Sequence, residues 1–475
     1  MKLERGEALT GRFREDEARI GALLRTEENF DLTERTLTAG GTDLKLWYAN
    51  GLTRTDSLEK VIAALTIGAS GDDRPVSAVQ FAEACLPVTG VKTESSMDAL
   101  VTAVLEGCTV MLGSTFGGEA LVMDLRLAPG RASEEPENDK VMRGSRDGFV
   151  ENLATNVALI RRRIRTPALT VSRARAGEST RTDLAVLWIE GRADDGYVRD
   201  LLAKMNGIDT DSLVLGHQSI AEAVCRKGWL NPFPKTRATE RPDTAAAALL
   251  EGGVIVLCDN SPEALLFPVS LFHFLQETDD FYFPPLTGTY LRILRHLIFW
   301  MTMIVTPLWY LAQMHADTLP SALAFLIPQK PGALPILFQL LLTEFALDGL
   351  KLASLNTPDV LASSLSVVGG LLLGDFAVTV GWGSSDVILY RAFVAIAIFT
   401  QSSYELGYAF KYLRILTLLI TAVFDWPGLA AGVVLAFLLA LTNRTLDGRR
   451  RYLWPLIPFD GPALARLVFR LKKRD

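Results

Sequence analysis

The segment YLRILRHLIFWMTMIVTPLWYLAQM, Tyr290 to Met314, decides the fold class of this chain. No charged side chain occurs from Leu297 to Leu311, and Trp and Tyr residues lie along the segment. About 20 apolar residues are needed for a helix to cross ~30 Å of hydrocarbon. The segment therefore predicts a membrane-spanning helix.

Further apolar blocks follow, whereas the chain before Pro284 has the composition of a water-soluble protein. These blocks cover residues 333–352, 360–380, 387–408 and 412–441. The predicted architecture is a cytosolic α/β front end followed by an α-helical, multi-span membrane domain over residues 286–442. Small residues in several blocks favour close packing between helices.

The orientation follows from the positive charges near the apolar blocks. Arg292 and Arg295 precede the first span, and Lys411, Arg414 and the cluster at residues 449–451 flank the later ones. Lys and Arg are enriched in cytoplasmic loops, so both ends of the chain are expected in the cytoplasm. Five blocks then conflict with an even number of crossings. Either the block interrupted at Asp425–Gly428 turns back on itself, or another block is re-entrant.

Charge is distributed unevenly over the 475 residues, whose net charge is −6. Residues 443–475 hold nine Lys and Arg against three acids, so this basic tail carries +6 and the remainder −12. A basic tail after a last apolar segment is typical of a contact with anionic cytoplasmic lipid. An acidic chain of this kind argues against nucleic acid as a partner.

No pattern in the soluble part predicts an enzyme, a cofactor site or a metal site. The four cysteines, Cys85, Cys108, Cys225 and Cys258, are far apart and form no CxxC pair, so we expect reduced thiols. The four histidines are isolated, and no phosphate loop, nucleophile elbow or paired catalytic carboxylates occur. The N-terminus also lacks an apolar secretory leader.

After a charged arm at residues 1–25, residues 26–133 predict a first α/β subdomain. Strands are expected at Leu44–Tyr48, Thr109–Leu112 and Ala120–Leu125, and a helix at Met97–Glu106. The sequence LEGCTVML at residues 105–112 is echoed by LEGGVIVL at residues 250–257. Internal similarity at one spacing predicts a duplicated second subdomain at residues 171–285, with chance matching as the alternative.

Residues 134–170 predict a charged linker helix between the two subdomains. Its arginines either pair with Glu134, Glu135 and Glu137 on a solvated face, or they contact another protomer through charged pairs. Both interpretations stay open at this stage. The candidate contact residues are Arg143, Arg146, Asp147, Arg161, Arg162 and Arg163.

Charged residues inside the apolar region are the candidate functional side chains. Glu344, Asp348 and Lys351 are four and three residues apart and stack on one helix face. A charge in hydrocarbon costs at least about 2.5 kcal/mol, so this face must meet protein or water. It forms either an internal ion-pair network or a water-lined path for cations. Asp375 is open to the same two interpretations.

Several segments resemble the GerA family, the A subunits of bacterial spore germinant receptors. They lie in order along almost the whole chain, at residues 143–151, 159–164, 232–234, 239–243, 259–262, 374–378 and 452–459. Residues 112–118 and 127–131, in and after the predicted hairpin, depart from the family pattern.

The resemblance implies a protein of the inner spore membrane that acts in germination. It implies a ring-shaped homo-oligomer around an ion-conducting pore, with a duplicated cytosolic N-terminal domain. It also implies a small membrane partner encoded in the same operon and other germination proteins as partners. The expected function is release of monovalent cations. A nutrient-receptor A subunit and a non-conducting scaffold of germination proteins are the alternatives.

Overall fold

The computed structural model describes residues 7–39, 41–67, 77–127, 144–208, 210–211, 213, 216–224, 231–277, 279–330, 332–355, 369–370, 377–400, 403–443 and 451–469. The chain forms two compact units. The first, the α/β unit, comprises Met1–Arg226 and Thr236–Pro268. The second, the helical unit, comprises Lys227–Lys235 and Val269–Asp475.

The first half of the α/β unit is an antiparallel five-stranded sheet between two layers of helices. The strands lie in the order β1-β2-β4-β5-β3. Its helices are Phe13–Leu24 (α1), Thr55–Ile67 (α2), Ala78–Cys85 (α3) and Met97–Leu105 (α4). Its strands are Leu32–Ala39 (β1), Thr42–Ala49 (β2), Val91–Glu94 (β3), Thr109–Gly113 (β4) and Ala120–Met123 (β5).

Both faces of this sheet are buried, which explains the continuous apolar runs in its central strands. In β2, Trp47 and Ala49 pack with α1 and α4, whereas Leu44 and Leu46 pack with α2 and α3. Successive side chains of a strand point to opposite faces, so one apolar strand supplies both cores. The strands and the helix predicted in this half are confirmed, with ends shifted by up to two residues.

The second half of the α/β unit repeats this element order. Its sheet has the order β6-β7-β9-β10-β8, and every pairing is antiparallel, as in the first sheet. Such shared topology is what a duplicated module would produce, and the duplication itself stays a prediction. The elements are Leu153–Arg163 (α5), Leu169–Ala176 (β6), Thr182–Ile189 (β7), Asp195–Asn206 (α6), His217–Val224 (α7), Arg237–Thr239 (β8), Pro242–Leu250 (α8), Val254–Cys258 (β9) and Ala264–Phe267 (β10).

Helix α5 is shorter and more buried than the predicted linker helix. It begins at Leu153, after Asn152 accepts a hydrogen bond from the Thr155 backbone N–H as its N-cap. Val157 and Ile160 pack into the core of the second sheet, and Ala158 packs into a core of the first. The helix is therefore part of the packed interior and holds the two sheets together.

Among the residues described, two helices of the helical unit are long and apolar enough to cross a membrane, Pro285–Met314 (α10) and Tyr404–Thr442 (α13). Helix Ile336–Leu355 (α11) carries three charged residues, and Ser385–Phe399 (α12), with 15 residues, spans only about 22 Å. The multi-span prediction thus stays a prediction. The helices are Asp279–Tyr282 (α9), Pro285–Met314 (α10), Ile336–Leu355 (α11), Ser385–Phe399 (α12), Tyr404–Thr442 (α13) and Gly461–Val468 (α14), with short helical turns at Leu271–Leu275, Ala316–Thr318, Ser321–Leu326 and Ala377–Thr379.

Helix α13 is a helical hairpin rather than one straight rod. Asp425 has φ 59° and ψ −138°, outside the helical region. A Cβ added at Gly432 would lie 2.6 Å from the side chain of Thr417, and one at Gly428 would lie 2.8 Å from the Thr421 Cα. Residues 417 and 432 would be about 22 Å apart along a straight helix. The chain therefore turns back at Asp425. This is the first of the two alternatives given by the sequence, in which the interrupted block turns back on itself.

Candidate functional site

The predicted acidic residues of α11 lie against α12 and α13. Glu344 is 7% exposed and forms ion pairs with Arg391 of α12 and Arg414 of α13. Arg414 donates hydrogen bonds from Nη2 to both carboxylate oxygens, at 2.9 and 3.1 Å. Both arginines are at most 2% exposed. Glu344 is thus compensated by two cations within its own chain.

Lys411 extends this arrangement to the next turn of α11. Its Nζ forms an ion pair with Asp348 and lies 3.9 Å from Glu344 Oε1. The side chain of Asp348 is 40% exposed, whereas that of Lys411 is 6% exposed. We call Glu344, Asp348, Arg391, Lys411 and Arg414 the charge cluster. It holds three cations and two carboxylates.

The other two membrane candidates differ in their positions. The Lys351 ammonium lies 4.9 Å from the ring centre of Tyr404 and 5.1 Å from that of Tyr408, in the range of cation–π contacts. Asp375 lies outside the described residues. The structure therefore brings Glu344 and Asp348 together and places Lys351 on aromatic rings beside them.

Arg391, Lys411 and Arg414 were not predicted as members of the site. Arg391 is the one charged residue in the run Val387–Phe399, which is a signal that it must meet an acid inside the protein. Lys411 and Arg414 are three residues apart and share a helix face. These signals predict that partners exist, but they do not identify them.

A second buried cluster lies at the start of α10. Asp280 is fully buried and accepts hydrogen bonds from Arg292 Nε at 3.2 Å and from Arg295 Nη1 at 2.9 Å. Arg295 also pairs with Glu277 at 2.8 Å. These two arginines are therefore neutralised inside the unit. The sequence-based orientation used Arg292 and Arg295 as unpaired cytoplasmic charges, whereas both are paired with acids here. The orientation of the chain in the membrane stays a prediction.

The turn of the α13 hairpin is attached to the C-terminal end of α10. His315 Nε2 lies 2.7 and 2.8 Å from the two carboxylate oxygens of Asp425. The His315 ring also stacks on Trp426, with ring centres 6.4 Å apart. The hairpin turn and the end of α10 thus lie together, at the far end of α10 from Asp280.

The charged residues proposed for a contact between protomers have different surroundings in the α/β unit. Arg161 is 1% exposed and donates to Asp31 at 2.9 and 3.0 Å. Arg163 pairs with Asp147 at 2.5 Å. Arg146 and Arg162 are exposed, and Arg143 lies outside the described residues. A protomer contact stays a prediction, and Arg146 and Arg162 are the side chains accessible for it.

The Asp147 carboxyl is held in its charged form by its neighbours. Burial raises the pKa of Asp147, but hydrogen bonds from Arg163 and Ser145 lower it by more. The resulting pKa lies below the ordinary value of 3.8.

The family-like segments of the α/β unit meet at one place, although they are distant in sequence. Arg241 donates to the Ser145 carbonyl at 3.0 Å, and the Phe149 N–H donates to the Glu240 carbonyl at 2.8 Å. The neighbouring Glu151 carbonyl accepts from the Asn260 N–H at 2.8 Å. We call this region the signature junction. Each of these hydrogen bonds uses at least one backbone group, which indicates a role in holding the fold.

Comparison with known proteins identifies the family. A family model described as "Bacillus/Clostridium GerA spore germination protein" matches residues 22–475. The chain belongs to the GerA family. Stage V sporulation protein AF of Bacillus subtilis (strain 168) is 35% identical over 445 residues, which cover 94% of this chain and 90% of that protein. Spore germination protein KA of the same organism is 29% identical and covers 90% of this chain and 78% of its own.

A solved structure is also similar to part of this chain. It is the N-terminal domain of the A subunit of the Bacillus megaterium spore germinant receptor GerK3. The identity is 21% and the TM-score is 0.43, with 55% of this chain and 97% of that chain covered. The family assignment rests on the sequence matches. Among the family-like segments, those at residues 259–262 and 452–459 resemble the AF protein in particular, which agrees with the 35% identity to it.

Proposed function

We propose that this GerA-family chain is a membrane subunit of a spore germination complex, in which several copies surround a path for monovalent ions. The observation that carries the proposal is the charge cluster, because it places five charged side chains among helices next to apolar faces. Charges in such a place are typical of ion paths or of internal networks that hold a bundle. We place the chain in the inner spore membrane, with the α/β unit in the cytosol.

Within the cluster, Asp348 is the better candidate for a path-lining residue. Glu344 already has two arginine partners and is nearly inaccessible, so its charge offers little to a passing cation. Asp348 has one close cationic partner, Lys411, and its side chain is 40% exposed. In a ring of copies packed through this face, the Asp348 side chains of neighbouring copies would line one shared path.

Reconstitution in liposomes tests this proposal. Potassium-loaded liposomes that contain the purified chain, with its small membrane partner if required, should release potassium. Asp348→Asn should change the ratio of potassium to sodium flux several-fold, whereas Asp317→Asn, an exposed acid in the same unit, should not. Tight liposomes count against conduction. Release of potassium with equal flux ratios in all variants counts against Asp348 as a path-lining residue.

A non-conducting scaffold is the second candidate function. The observation that favours it is that Arg391 and Arg414 of the same chain neutralise the charge of Glu344. Such an ion-pair network can hold a helix bundle together without any ion path. Under this function the complex with other germination proteins still forms, but liposomes stay tight. A nutrient-receptor A subunit differs from both, since its flux should require a germinant and further receptor subunits.

A further inference from the structure

The chain segment after α13 exposes a short run of apolar side chains. Phe459 is 75% exposed, Leu456 40% and Ile457 38%. The segment is nevertheless fixed, because Tyr452 and Leu453 just before it are buried and the Tyr452 carbonyl accepts a hydrogen bond from the Leu271 N–H at 2.8 Å. A fixed loop that exposes three apolar side chains within four residues is unusual on the surface of a water-soluble protein.

Helix α14 follows this loop and is amphipathic. Asp460 caps its first turn by accepting from the Ala463 N–H at 3.0 Å. Leu467 faces the protein and is buried, and the side chain of Arg466 is exposed. Phe469, just past the helix end, is 48% exposed. The helix therefore packs its apolar side against the protein and exposes Arg466, with the exposed Phe469 just past its end.

The position of α14 is set by α10. Arg292 Nη1 donates to the carbonyls of Arg466 at 3.0 Å and Leu467 at 3.4 Å, so the end of α14 lies beside the second turn of α10. On α10, Leu286 is 84% exposed and Tyr290 is 62% exposed. Exposed apolar side chains thus occur on both elements at this end of the unit.

The charge of this region is positive once its acids are counted. Arg292 and Arg295 neutralise Asp280 and Glu277, and Asp460 is occupied as the cap of α14. Arg451 and Arg466 are exposed.

We propose that the loop at residues 456–459 and α14 form an interfacial anchor on an anionic lipid leaflet. Phe459 and Phe469 insert at the boundary between headgroups and acyl chains, and Arg466 binds lipid phosphates. Apolar side chains beside Arg and Lys are the pattern of helices that lie in the membrane plane. A lipid surface is favoured over a protein partner because this end of the unit also carries the start of α10. This argument rests on the proposed function, in which α10 crosses the bilayer.

Amide hydrogen exchange tests the anchor in the full-length protein. The chain is placed in nanodiscs of phosphatidylcholine alone and of phosphatidylcholine with about one third phosphatidylglycerol. Exchange of peptides covering residues 456–469 should slow several-fold in the anionic discs. Raising the salt roughly tenfold, to about 0.5 M, should reverse much of this protection by screening the charges. Peptides from α6 serve as the internal reference and should exchange equally in both discs.

Two substitutions separate the parts of the anchor. Arg466→Glu should remove the dependence on anionic lipid, because it reverses the charge of the side chain that binds the phosphates. The contact with Arg292 uses the Arg466 backbone carbonyl, so the position of α14 should be kept. Phe459→Ser should reduce protection in both discs. The matched control is Arg199→Glu, an exposed arginine of α6.

Three results would overturn the anchor. They are equal exchange in both kinds of disc, protection that grows with protein concentration at constant lipid, and an Arg466→Glu variant that keeps the full lipid effect. The second result would instead indicate a contact between copies. None of these readouts depends on ion flux, so the anchor can fail while conduction holds, and conduction can fail while the anchor holds.

Discussion

Arg414 of α13 donates hydrogen bonds to both carboxylate oxygens of Glu344 in α11, at 2.9 and 3.1 Å, and both side chains are buried. The two residues are 70 positions apart in the sequence. Together with Arg391, this pair joins α11, α12 and α13, so the packing of the three helices depends on one carboxylate.

Glu344→Gln should strongly destabilise the helical unit. The substitution leaves Arg391 and Arg414 buried without their shared anion, and breaking a buried ion pair by removing one partner costs about 3 to 5 kcal/mol. The thermal unfolding midpoint of the detergent-solubilised protein should fall clearly. Asp317→Asn makes a similar chemical change at an exposed site and should leave the midpoint unchanged. Equal midpoints for the two variants would contradict the central position of Glu344.

The hairpin of α13 predicts that two glycines cannot accept a methyl group. In Gly428→Ala or Gly432→Ala the new Cβ would collide with the opposite arm, near Thr421 or Thr417, at 2.8 and 2.6 Å. Overpacking of this kind costs about 1 to 3 kcal/mol. Gly349→Ala in α11 is the control, because a Cβ there meets nothing within 4 Å. Thermal unfolding should separate the two groups, and a neutral Gly432→Ala would argue for a straight α13.

The Asp147–Arg163 pair predicts a pH dependence in the α/β unit. The pKa of Asp147 is lowered on folding, so its contribution to stability is present above the ordinary carboxyl value of 3.8 and is lost as the pH falls through the lower folded value. Near neutral pH, Asp147→Asn should reduce the free energy of unfolding by about 1 kcal/mol, as for other partly exposed ion pairs. Urea unfolding at several pH values should show the difference from wild type vanishing in acid. A constant difference would contradict the pair's charged state.

The cysteines should differ in their reactivity with a maleimide at pH 8. Burial and the adjacent Asp259 carboxylate raise the pKa of the Cys258 thiol to about 12, so almost no thiolate forms. Of the three cysteines that the structure describes, Cys85 is the partly exposed one and should react before Cys108 and Cys258. Peptide mass spectrometry after labelling gives the order, and labelling in denaturant shows that all thiols can react. Fast modification of Cys258 in the folded protein would contradict its burial.

Local patterns were sufficient to predict much of the α/β unit. The apolar runs at β4 and β5 and the helix α4 before them have the lengths and turn residues that fix such elements, and the structure confirms them. The ends of α5 were harder to predict. Its charged flank is typical of a solvated helix, whereas Arg161 pairs internally with the distant Asp31.

The helical unit shows why the rest could not be predicted. The break at Asp425–Gly428 was visible in the sequence, but its direction depends on Gly432 fitting against Thr417 across the turn. Likewise, the spacing of Glu344 and Asp348 predicted a shared face but not its partners, because Arg391 and Arg414 come from other helices. Contacts between distant segments leave no local spacing to detect.

The mass and symmetry of the purified protein in detergent test the central claim most directly. The account predicts a ring of several copies with an axial opening lined by the Asp348 face of α11. A single copy, with Asp348 and Glu344 enclosed by its own helices and no opening, would contradict it and leave a membrane-bound scaffold.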